Sequence, residues 1–341
     1  WLRRNDPETY QRVWRFLPWT SLVVFLLGGA SLCDYSLAGR TLLFDVSHQR
    51  WAGEVLDSCA VAEHKLPELA PAGTPAGTIS TAMARQLGLQ PGVQLVLGGH
   101  ERCCSALGVG AIRDGMAVYT MAAVVGLIPI FQAIPLVSLM WAQGFETQRH
   151  VVPDSFVSFL YTRAGAGLLN WFRDTLTPAE LRTAARRGAT ALDELLSRLP
   201  AEPTDLLVLP QLWPPSAGHV DEEASGAILG LKAGTTREEL LKALLEGLSL
   251  FFAEGKRLLE SAAVRVCVLR AVGPGVRASA WLQLTADVLG IPVELTGALS
   301  AAPLGAALLA GIGCRAYAGF AQAVDSTVHV HTRFDPDAGR N

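Results

Sequence analysis

Val93-Gln-Leu-Val-Leu-Gly-Gly-His-Glu-Arg-Cys-Cys-Ser-Ala-Leu-Gly108 sets the architecture of this chain. Pro91-Gly92 makes a turn, residues 93–97 make a short buried strand, and Gly98-Gly99 ends it. A helix follows through Cys103, Ala106 and Leu107. The order is strand, glycine turn, helix, with His100 and Glu101 at the junction. That junction is where α/β proteins favour ligand sites.

The same alternation continues towards the C-terminus. Residues 264–272 read as a strand running into Gly273-Pro274-Gly275. A helix follows from about Ser279 to Leu289, then a strand over 292–295 and a small-residue helix over 302–311. Thr236-Arg-Glu-Glu239 is a capping box. Behind it Leu240, Leu241, Leu244, Leu245, Leu248, Phe251 and Phe252 recur at helical spacing, the core stripe of an amphipathic helix. Thr177-Pro-Ala-Glu180 carries a second capping signal with Pro at the first helical position. Upstream, residues 1–20 read as helical, 41–46 as a strand or strand-to-turn segment, 63–77 as a Pro- and Gly-rich loop, and 82–87 as a helix. No solenoid repeat is present.

Composition narrows the function classes. The chain has 341 residues, enough for about two domains. Its 28 basic and 31 acidic residues give −3, so no general attraction to nucleic acid or anionic membrane is implied. Half of the residues are hydrophobic, which excludes a disordered chain. Only 17% are charged, so much surface is expected to be buried, and self-association as a homodimer is expected. The six cysteines form no C-x-x-C and no zinc-finger spacing, and their scatter reads as reduced and cytoplasmic. Residues 115–145 lack any charge, but Gly126, Pro129 and Pro135 interrupt them. They read as buried strands of a two-sided sheet and not as a membrane span. The run over 22–27 is too short to span and reads as a core element.

Five segments, in order, resemble the FGGY family of carbohydrate kinases, of xylulokinase-like type. They are Asp34-Tyr-Ser-Leu-Ala-Gly-Arg-Thr-Leu-Leu-Phe-Asp45 with Trp51, Gly98-Gly-His-Glu-Arg102 with Ala106-Leu-Gly-Val-Gly110, and Asp205-Leu-Leu-Val-Leu-Pro210 with Gly226-Ala-Ile-Leu-Gly-Leu231. Arg270-Ala-Val-Gly-Pro-Gly-Val-Arg277 with Trp281-Leu-Gln283 and Ala286-Asp-Val-Leu-Gly290, and then Leu304-Gly-Ala-Ala307, complete the set. The resemblance implies a two-domain ribonuclease H-like α/β fold, that of actin and sugar-kinase ATPases. Its first domain is expected to be incomplete at the start, because no D-x-G-T phosphate loop is found. Residues 1–113 would be the remainder of the N-terminal domain and 114–341 the C-terminal domain. The implied reaction moves the γ-phosphoryl group of ATP, with Mg2+, to a hydroxyl of a sugar or polyol. Glu101 would be the general base, His100 a substrate contact, and Thr120, Gly273, Gly275 and Val276 the nucleotide side.

The chain departs from the family pattern at instructive places. Glu101 stands where the family has Asp, one methylene longer, and a misplacement of about 1 Å can cost ~10²-fold in rate. Ala122-Ala123 stands near where a Gly-Thr pair meets phosphate, so a hydroxyl donor and a close backbone approach are lost. Pro274 removes an N–H from the adenosine-side turn. Ser300 or a neighbour stands for a Glu. These changes define an alternative reading, a catalytically impaired kinase-like protein that keeps the fold. Among other residues, Cys103 and Cys104 read as core thiols. His329 and His331 share a strand face and read as surface histidines. Asp221-Glu-Glu223 reads as a solvated acidic turn, and Arg3-Arg4 and Arg186-Arg187 as exposed charge.

Overall fold

Strand, turn and helix stand where the 93–108 segment puts them, as strand Gln94–Val96 and helix Glu101–Gly108. The computed structural model describes residues 1–177, 196, 198–211, 225–298, 300–337 and 339. Residues 178–180, 186–187 and 221–223, on which three of the expectations above fall, lie outside the described residues. The chain divides into two units, each discontinuous in sequence. One comprises Trp1–Gly108, Gln148–Ser155 and Ala301–Thr327; the other comprises Val109–Thr147, Phe156–Ser300 and Val328–Asn341.

In the first unit, short helices Leu2–Asn5, Pro7–Arg12 and Trp19–Leu26 open the chain. Asp6 caps the second of these by accepting from the Thr9 N–H at 3.0 Å, with Pro7 at the first helical position. Strands Leu32–Asp34 and Glu68–Ala70 pair in parallel, and Pro75–Thr78 pairs antiparallel with Gln94–Val96. Two small cores form around them, one from Cys33, Phe44, Trp51, Leu56 and Leu66, the other from Val24, Ile79, Ala84 and Leu95. The 22–27 run is not a core element throughout. It lies on the helix Trp19–Leu26, where Val24 is buried but Val23 is 52% and Leu26 60% exposed. Helical geometry buries one face only, which an unbroken apolar run does not announce.

The helix Glu101–Gly108 packs on Ala301–Gly313, from the far end of the chain. Small residues allow this crossing. A Cβ on Gly108 would collide with the Ala301 carbonyl, and one on Gly305 with the Cys104 carbonyl.

The second unit is built on a mixed sheet. Its strands lie in the order Thr332–Phe334, Val293–Leu295, Val268–Val272, Met116–Met121, Val125–Phe131. The three strands 293–295, 268–272 and 116–121 run parallel. Strand 125–131 returns antiparallel as the second arm of a hairpin, and Leu160–Thr162 pairs antiparallel with it. Every residue of 125–131 is buried. The 115–145 run is therefore strand only in its first half. After Pro135 it becomes the helix Val137–Ala142, with Val137 and Trp141 exposed, because Pro denies the strand a ladder donor. Among the described residues no helix is long and apolar enough to cross a membrane.

The helix Arg237–Ser261 packs its leucine stripe inward, burying Leu241, Leu244, Leu245, Leu248 and Phe252. Its capping box is complete: Thr236 Oγ1 accepts from the Glu239 N–H at 3.2 Å, and Glu239 Oε2 accepts from the Thr236 N–H at 2.7 Å. Phe252 meets Tyr119 of the sheet edge to face at 5.3 Å. The segments 205–210 and 226–231 form paired strands, Leu207–Leu209 against Ala227–Leu229. His329 and His331 are exposed but precede the strand Thr332–Phe334, so they share no strand face.

Candidate active site

The Glu101 turn belongs to the first unit. Asp34 ends a strand and caps the short helix Tyr35–Ala38, accepting from the Ser36 N–H at 2.8 Å and the Leu37 N–H at 3.2 Å. Ser36 Oγ donates to Asp34 Oδ2 at 2.5 Å and accepts from the His100 N–H at 2.8 Å. Asp34 is 1% and Ser36 0% exposed. Gly99 is required at its position. A Cβ there would collide with Val151 Cγ1 and stand 3.1 Å from Ser36 Oγ and 3.3 Å from Asp34 Oδ2. The Cys104 N–H closes the first helical turn on the His100 carbonyl at 2.9 Å. Glu101 emerges exposed in that first turn, where the helix dipole favours a negative charge.

The electrostatics follow from burial. Burial pushes the Asp34 carboxyl up to about 6, against the lowering effect of its Ser36 and Leu37 donors. Burial, helped by the Asp34 charge, pushes the Cys33 and Cys104 thiols up to about 12 and Cys103 well above its ordinary range. These buried thiols are core groups, as expected for Cys103 and Cys104, and are inert as nucleophiles. Burial, with Arg40 and Arg102 nearby, lowers His100 to about 4, so its ring is neutral at pH 7. His100 is half-buried.

The second unit places four connections at one end of its sheet, the carboxyl ends of strands 116–121, 160–162, 268–272 and 293–295. This is the end at which open α/β sheets hold ligands. Three of the connections pack closely because glycines in two of them admit the third. Gly273, at φ 104°, would put a Cβ 2.8 Å from the Met121 carbonyl oxygen. A Cβ on Gly275 would stand 2.7 Å from Met121 Cβ. One on Gly165 would stand 2.5 Å from the Ala122 carbonyl oxygen and 3.0 Å from that of Ala123. The turn after strand 116–121 is thus flanked by glycine backbone from two other connections. Ala123 itself is exposed. Val276 lies half-buried in the 3-10 turn Pro274–Arg277, which leads into the helix Ser279–Leu289. Thr120 Oγ1 donates across the hairpin to the Gly126 carbonyl at 3.4 Å.

The sequence-chosen residues therefore fall into two groups, His100 and Glu101 on one turn, and Thr120, Gly273, Gly275 and Val276 at one sheet end. Sequence reasoning missed Gly165, which stands between two alanines and carries no local signal. It also gave no role to Ser36. The Asp34-Tyr-Ser36 spacing ahead of a helix was a usable capping signal. Among the described residues no group of three or more His, Cys, Asp or Glu side chains is placed to hold a metal ion.

Comparison with known proteins bears on the family and the fold. Residues 1–108 match the N-terminal domain of the FGGY family of carbohydrate kinases, and residues 140–314 match the C-terminal domain of that family. A xylulose kinase of Staphylococcus epidermidis is 23% identical over 345 residues, covering 99% of this chain and 66% of the relative. An autoinducer-2 kinase of Klebsiella pneumoniae is 26% identical over 348 residues, covering 99% of this chain and 64% of the relative. The chain thus spans about two thirds of the length of such relatives. The crystal structure of xylulose kinase from Rhodospirillum rubrum superposes with a TM-score of 0.85 at 24% identity, covering all of this chain and 67% of that one. That likeness fixes the fold as the α/β fold of actin and sugar-kinase ATPases. Both family domains are matched in order, and the chain belongs to the FGGY family of carbohydrate kinases.

Proposed function

We propose that this chain works in a carbohydrate kinase that moves the γ-phosphoryl group of ATP to a hydroxyl of a sugar or polyol. Glu101 takes the proton from the attacking hydroxyl, and His100 contacts the acceptor. The turns at 121–123, 165 and 273–276 receive the nucleotide, which carries magnesium on its phosphates. The observation that carries the reading is the convergence of those turns at the carboxyl end of the second unit's sheet, where Gly165, Gly273 and Gly275 admit the backbone of the 121–123 turn. Nucleotide phosphates are met by backbone N–H groups of turns, and open α/β sheets hold their ligands at this end.

The test is calorimetric titration of the chain with ATP and magnesium, followed by ADP release with a panel that includes xylulose, gluconate and glycerol. Saturable ATP binding and acceptor-dependent ADP release are expected. Glu101→Gln lowers turnover by ~10²- to 10⁴-fold and leaves ATP binding unchanged. A folded chain that binds no ATP would sink the proposal. The second reading is an impaired relative that keeps nucleotide binding without turnover. It is favoured by Ala122 and Ala123, which offer no hydroxyl, and by Thr120, whose hydroxyl is engaged with Gly126. ATP binding without any ADP release would select it.

A further inference from the structure

The Glu101 turn rests on a buried pair that is not itself placed to meet substrate. Asp34 is fixed by two backbone N–H groups at the start of helix Tyr35–Ala38. Its Oδ2 accepts a hydrogen bond from the Ser36 hydroxyl at 2.5 Å. An ionised carboxylate accepts only, so it dictates the direction of that hydrogen bond. The lone pairs of Ser36 Oγ are then left to receive the His100 N–H at 2.8 Å. Both side chains are sealed from solvent, so water does not compete. The residue after His100 is Glu101, and Gly99 before it lies against the same two oxygens. Two separate contacts therefore clamp the turn to one spot on the first unit.

We propose that Asp34 and Ser36 are positioning residues for Glu101: through the His100 N–H they fix where the helix Glu101–Gly108 starts and so where its first carboxylate points. The inference rests on the reading of Glu101 as the base. It also explains how a longer side chain serves there. Glu has one more rotatable bond than Asp, and a tightly held backbone limits how far its carboxylate strays.

Ser36→Ala removes the acceptor of the His100 N–H while leaving the Asp34 cap in place. Turnover is expected to fall about 10-fold or more, with KM for ATP unchanged, since a misplaced base acts only in the transition state. Amide hydrogen exchange at His100 is expected to speed up relative to Cys104, which bonds within the helix start. Asp34→Asn keeps a cap and an acceptor for Ser36 and should show a smaller loss of the same kind. It also serves if Ser36→Ala does not fold. Thr41→Ala is the control, because its hydroxyl donates to the Ala38 carbonyl at 2.6 Å in the same neighbourhood without touching the turn. It should keep its turnover. Wild-type turnover in Ser36→Ala, or a loss equal to that of Thr41→Ala, overturns the inference. If the wild-type chain turns over no acceptor, the kinase reading is what fails. In that case unchanged His100 exchange in Ser36→Ala overturns the clamp as well, and faster exchange sustains it.

Discussion

The turn that carries Glu101 is held by polar side chains, and the turns at the sheet end of the second unit are held by the lack of side chains. In the first unit Ser36, itself held by Asp34, reaches the His100 backbone over 64 positions of sequence, through directed hydrogen bonds sealed from water. In the second unit Gly165, Gly273 and Gly275 admit the 121–123 turn to backbone contact. The first arrangement depends on protonation state and tolerates changes in size only where the bonds survive. The second is indifferent to pH and tolerates no added carbon. The family departures respect this difference. The departure that the resemblance implies in the first unit, Glu for Asp at 101, retains a carboxylate, whereas those it implies at Ala122, Ala123 and Pro274 alter backbone turns.

Three measurements test this contrast. The largest effect is expected at Asp34. Its folded-state value of about 6 lies above the ordinary value of 3.8, so the folded protein binds this proton more tightly than the unfolded chain. The resulting stability is fully present below pH ~4 and is lost as pH rises through 6, about 3 kcal/mol in all. Denaturant titrations should show wild type gaining most of that over Asp34→Asn between pH 7 and pH 4. Parallel curves for the two proteins would show that the carboxyl is not isolated among the Cys33, Cys103 and Cys104 thiols. Next comes Gly165→Ala, whose Cβ has carbonyl oxygens of Ala122 and Ala123 in its way. A loss of about 1–3 kcal/mol is expected, equal at pH 5 and pH 8, together with weaker ATP binding. A pH-dependent loss would erase the contrast. The smallest effect is expected from Ala123→Thr at the exposed tip. It restores a hydroxyl and should tighten ATP by a few-fold, on the order of one neutral hydrogen bond. Unchanged affinity would remove that tip from the nucleotide site.

Local signals were legible in the sequence and distant ones were not. The capping box at Thr236 and the helix Ser279–Leu289 declare themselves within a few residues of their own chain, and both stand as read. The alternating strands and helices of the second unit were equally plain, because each is a pattern in a short window. The 22–27 run misled because hydrophobicity says nothing about what covers a face. Helix Val137–Ala142 was hidden because apolar residues suit a buried strand and a helix alike. In the candidate site, Glu101 and the Gly273 turn were chosen through their motif. Gly165 was not, since its reason for being glycine is a carbonyl over forty residues upstream. The Ser36 hydroxyl escaped for the same cause, its partner being the backbone of His100.

The crossing of helices Glu101–Gly108 and Ala301–Gly313 has a consequence for synthesis. Gly108 and Gly305 bring the two backbones together within one unit, so that unit is unfinished until the ribosome has passed the second helix. Roughly 190 residues separate the two partners, which at about 5–20 residues per second is a wait of about 10–40 s. During that interval the nascent helix that begins at Glu101 has no partner for its small-residue face. The second unit's sheet is being made in the meantime, so the order in which the two halves mature is written into the path of the chain.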